Sequence, residues 1–109
     1  MLNQVIYVGR LVDRPEIKRT ANNKEYTEIV VAVPRPFKNE EGVYDTDFIP
    51  CTLHNDIARN TAEYCRKGDI IGIRGRLQTE NKRISVMADK VTFLSSNNST
   101  KDDLSEGEV

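Results

Sequence analysis

The chain has 109 residues and a formal net charge of −1. That length suits one domain, whose core needs neither disulfides nor a structural metal. Residues 101–109 hold one Lys against four acids, which leaves 15 basic and 13 acidic residues in 1–100, a balance of +2. This weak surplus excludes a polyanion binder that works by charge alone. Cys51 and Cys65 are the only cysteines, and no secretory signal precedes the first apolar run. They are expected to stay reduced in a cytosol. No apolar stretch has the length of a membrane span. A soluble, cytoplasmic protein is expected.

The first element, residues 3–12, is rich in Val, Ile and Tyr and reads as a strand. Val5, Tyr7 and Leu11 fall on one face, with Ile6, Val8 and Val12 on the other. A strand apolar on both faces is covered on both, and in a small domain the second cover is a further subunit. Pro15 stops it.

Asn22 and Asn23 read as a turn into a second strand over 26–33, ended by Pro34 and Pro36. The polar stretch 34–45 reads as a projecting loop or long hairpin with Glu41 and Gly42 at its tip. A third strand over 47–54 sets Ile49, Cys51 and Leu53 inward, with Phe48, Thr52 and His54 outward. Pro50 shares the outward side and suggests an edge or bulge.

One helix is expected, over 57–67, capped by Asn55 or Asp56 and closed by Gly68. Its apolar stripe is Ile57, Ala58, Thr61, Ala62 and Cys65, and Arg66 and Lys67 suit the negative end of its dipole. A fourth strand over 70–77 puts Ile71, Ile73 and Leu77 inward, Arg74 and Arg76 outward. Gly72 and Gly75 read as bends. A polar link over 78–82 leads to a last strand over 83–93. From Ser95 the composition is that of a disordered acidic tail, so the domain is set at 1–94 and the tail at 95–109.

Three strands, a helix and two strands do not make an alternating parallel α/β sheet. They fit a mostly β fold, the OB-fold five-stranded Greek-key barrel with one helix between strands three and four.

An outward flat side chain such as Phe48 or His54 can stack on an exposed base, worth ~1–3 kcal/mol per base. Phe37 on the long loop extends such a platform. Arg10, Arg35, Lys38, Arg74, Arg76, Lys82 and Arg83 are candidates for phosphate or base contacts. The plainer alternative packs Phe48 under the loop and leaves His54 and these cations as solvated surface. No catalytic constellation stands out. Cys51 and His54 fall on opposite sides of one strand, only one His exists, and no Gly-rich phosphate loop opens a helix. No metal or cofactor is expected.

The opening LNQVIYVGRLVDRPE, then VAVPRPF, DFIPC, AEYCRKGDIIGIRGRLQT and ADKVTFL, resemble in order the bacterial single-stranded DNA-binding protein (SSB) family, over about residues 1–94. The resemblance implies an OB-fold protomer in a homotetramer, or a dimer as fallback. It implies single-stranded DNA wrapped on stacking rings, in replication, repair or recombination. Phe37, Phe48 and His54 fall at stacking positions of that family, His54 with a smaller ring than usual. A fourth stacking aromatic of the family aligns near Lys82, on a hairpin several residues shorter here. The stretch 102–109 is acidic but lacks the family's terminal Pro-Phe, so tail-borne recruitment of repair proteins is not expected. An adaptor that docks proteins and an RNA-binding OB module stay open as alternatives.

Overall fold

The computed structural model describes residues 1–95, so the expected disordered tail lies almost wholly outside the described residues. The strands are β1 (Val5–Leu11), β2 (Lys18–Arg19), β3 (Glu25–Lys38), β4 (Tyr44–His54), β5 (Ile70–Glu80) and β6 (Arg83–Ser95). One helix, α1 (Asn55–Tyr64), follows β4.

The sheet order is β1-β5-β6-β4-β3-β2, and an added β1–β3 pairing closes it on itself. Five long strands therefore form a barrel, with β2 as a two-residue appendage on β3. All ladders are antiparallel except the short β4–β6 contact at Cys51↔Val86 and Thr52↔Met87. This is the OB-fold expected from the order of elements.

The barrel interior holds Leu11, Ile29, Val31, Cys51, Leu53, Ile71, Ile73 and Val86. They come from alternate positions of their strands, the period-2 pattern of a sheet with one wet face. Helix α1 closes one end with Ala58 and Thr61 buried, joined just past its end by Cys65. Arg59 ties the helix to the barrel through Glu25, at 2.7 Å, and Arg19 reaches the same carboxylate at 3.1 Å.

Two close approaches demand glycine. A Cβ on Gly9 would strike the Ala32 carbonyl where β1 crosses β3. One on Gly75 would strike the β6 backbone at Met87, beside the register shift in the β5–β6 ladder. Gly75 is thus the bend expected of it, whereas a Cβ at Gly72 would meet only ordinary contacts.

Several boundaries differ from the sequence expectations. Strand β3 runs through Pro34 and Pro36 to Lys38, with a register shift between Pro34 and Lys38. Proline is tolerated there because β1 pairs with β3 only at Val31 and Ala32, so the arm beyond has a free side. Similarly, β5 and β6 continue to Glu80 and from Arg83, leaving only Asn81 and Lys82 as the turn. Both adopt positive φ, 53° and 66°, as a type I′ hairpin requires. Leu77, expected inward, is 46% exposed, since this hairpin projects past the barrel end. The helix starts and stops earlier than expected. Its N-cap is His54, without a side-chain cap bond, and Asn55 enters the helix at a left-handed φ of 53°. Arg66 and Lys67 therefore lie beyond the last turn, not in it.

Candidate nucleic-acid interface

The outward face of β4 carries Tyr44, Thr46, Phe48, Pro50, Thr52 and His54, because inward Ile49, Cys51 and Leu53 fix the alternation. Phe48 is 63% exposed and His54 is exposed, so Phe48 does not pack under the neighbouring hairpin. Pro50 pairs with Val30 on one side only, and the β6 contact begins at Cys51. That satisfies the expected edge character at Pro50.

Register places the neighbours. Arg10 pairs with Ala32, and Ala32 with Phe48, so these three outward residues form one row across β1, β3 and β4. Two outward positions further along β4, past Pro50, another row joins Thr52 to Met87 and Met87 to Arg76. Arg10 and Arg76 thus stand on opposite flanks of the β4 face. Arg10 also donates to the Gly68 carbonyl at 2.7 Å and Arg76 to the Gln78 Oε1 at 2.6 Å, which holds both guanidinium groups in place.

Beside Pro50 and Thr52 lies a cleft of about 570 Å³, walled by Glu80, Asn81, Arg83 and Ile84 of the β5–β6 hairpin. Arg83 therefore faces the platform across the cleft, while Lys82 occupies the hairpin turn. Glu28 and Glu80 share the cleft and offset its charge.

Three candidates stand apart from the Phe48 face. Arg74 pairs with Ile6 and Lys90, around the barrel on β1 and β6. Arg35 binds Asp47 through two nitrogens, at 2.9 and 3.1 Å, with Asp45 at 3.8 Å. Asp47 shares the inward alternation of Ile49, so Arg35 lies on the reverse side of the arm. The guanidinium holds the Asp47 carboxyl below its usual range, chiefly by hydrogen bonding. Phe37 is exposed, but Lys38 pairs with Tyr44, which turns Phe37 to the side away from Tyr44. Lys38 itself lies over the Tyr44 ring, 5.8 Å from its centroid.

Two further rings share this face. Tyr44 falls within the polar stretch 34–45, at even spacing from Phe48 and His54. Tyr26 pairs with His54 on the same face, a register that no single strand discloses.

The two cysteines are free and buried, and burial pushes both thiols up to about 11. Cys51 lies in the core and His54 in solvent, so they do not meet at a shared ligand.

Residues 2–94 match the single-strand binding protein family. The chain belongs to that family. Single-stranded DNA-binding protein B of Bacillus subtilis is 40% identical over 103 residues, covering 86% of this chain and 91% of that protein. The Halalkalibacterium halodurans single-stranded DNA-binding protein is 41% identical over 103 residues, and there the match spans 61% of the relative's length. The SSB domain of a Synechococcus protein superposes with a TM-score of 0.71 at 19% identity, over 84% of this chain and 96% of that one. A deletion mutant of the Thermus aquaticus single-stranded DNA binding protein gives 0.71 at 22%, over 89% and 52%. At such identities these two likenesses establish the shared fold.

Proposed function

We propose that this single-strand binding family member binds single-stranded DNA without sequence preference and without catalysis, in replication, repair or recombination. The observation that carries the reading is Phe48, exposed on an open sheet face and in one cross-strand row with Arg10. Stacking accepts any base, and a duplex hides base faces, so single strands are the favoured ligand. Phe48 and His54 form the platform, and Arg10, Arg76 and Arg83 flank it. Lys82 reaches phosphates from the hairpin turn, and Phe37 serves a strand that passes around the arm. Arg74, away from the platform, acts on a strand that wraps further, while Arg35 holds Asp45 and Asp47 on the reverse side of the arm.

The protomer is proposed to assemble as a homotetramer, with a dimer as the smaller alternative. Ile6 and Val8 support this: they are 71% and 51% exposed on the outer face of β1, and such a stripe is stable when covered. Among the described residues no helix is long and apolar enough to cross a membrane. A cytoplasmic, nucleoid-associated location is proposed with the DNA role.

The test is a titration of single-stranded and duplex DNA of equal length, with an RNA competitor of the same sequence. Preference for the single DNA strand is expected. Equal affinity for the duplex refutes the stacking account, and stronger binding of RNA favours the RNA-module alternative.

A further inference from the structure

The β3–β4 arm beyond Pro34 has no core of its own, yet it is braced. Asn39 accepts bonds from the Glu41 and Val43 amides at 2.8 and 3.0 Å and donates to Asp45 at 3.2 Å. Its backbone amide donates to the Val43 carbonyl at 2.8 Å. Gly42 completes the tip at φ 80°. A ring mounted next to this tip is held in place before any ligand arrives, which lowers the ordering cost of binding.

Tyr44 is that ring. It is 53% exposed and shares the outward alternation of Phe48, four residues along β4 and so about 13 Å away. Lys38 covers one ring face, which leaves the other open and sets an ammonium beside it. The arm also separates its charges. Asp45 and Asp47 alternate to the reverse side, where Arg35 engages both, so the Tyr44–Thr46–Phe48 side carries no acid from β4.

We infer that Tyr44, with Lys38 over its ring, is a further nucleotide-binding station that extends the Phe48 platform to the arm tip, the open face taking a base and Lys38 the adjoining phosphate. This rests on the single-strand reading of the Phe48 face. It predicts a longer contacted stretch of strand than Phe48 and His54 alone supply.

The chain contains no Trp, so Tyr44→Trp and Phe48→Trp each give a single fluorescent reporter. Each is titrated with oligothymidylate and with an abasic strand of equal length, and saturation is read independently from the anisotropy of a labelled strand. Quenching at position 44 by the base-bearing strand, much weaker with the abasic one, is expected. Tyr44→Ala should lower affinity roughly tenfold, the loss of about one stacked base. Quenching at 48 with none at 44 under saturation overturns the station alone. Equal quenching at 44 by the abasic strand also overturns it. Silence at both positions rejects the platform itself.

Discussion

Arg10 and Phe48 flank Ala32 in one row across three strands, so a cation and an exposed ring face the same solvent over a single methyl group. The arrangement joins the two interactions that a weakly charged protein needs for a polyanionic ligand with exposed bases. Arg10→Ala should therefore weaken binding similarly for all sequences and reduce the slope of log affinity against log salt by about one. Salt titrations of the two proteins measure this. An unchanged slope would show that Arg10 meets no phosphate.

Gly75→Ala should destabilise the barrel by about 1–3 kcal/mol, the usual range for overpacking. The added methyl has β6 backbone against it, and no flexible side chain can yield. Gly72→Ala, with only ordinary contacts, is the control. Chemical denaturation of both variants checks the pair, and equal losses would contradict the crossing geometry.

Both thiols are raised to about 11 by burial, from an ordinary value of 9.0. A raised acid favours folding while protonated, so this stabilisation is complete below about pH 9 and disappears as pH climbs through about 11. Burial raises the Tyr7 phenol in the same direction. Melting temperature should fall across that interval, and thiol reagents should stay inert toward the folded protein near neutral pH. Rapid labelling of Cys51 in the folded state would show the core to be open.

Ile6→Asp or Val8→Asp should dissociate the assembly while leaving the protomer folded, because both side chains point out of the barrel. Light scattering with circular dichroism separates the two effects. A wild-type monomer at micromolar concentration would remove the assembly proposal.

Much of this was legible in the sequence. Alternation in β4 gave the inward Ile49, Cys51 and Leu53 and hence the outward Phe48 and His54. The strand, helix and strand order gave the barrel. What escaped were features set by pairing rather than by pattern. Pro34 and Pro36 sit inside β3 because its pairing with β1 stops at Ala32, which the sequence of β3 does not record. Arg35 read as a free cation, since its partnership with Asp47 spans the hairpin. The row from Thr52 through Met87 to Arg76 depends on a parallel contact between segments distant in the chain.

Binding of single-stranded DNA on the outward face of β4 is proposed to run through Phe48. It is tested most directly by titrating one single-stranded oligonucleotide into the wild type and into Phe48→Ala, after both prove equally folded and assembled. The variant should lose ~1–3 kcal/mol in binding free energy, the worth of one stacked base. Identical isotherms for the two proteins would contradict it.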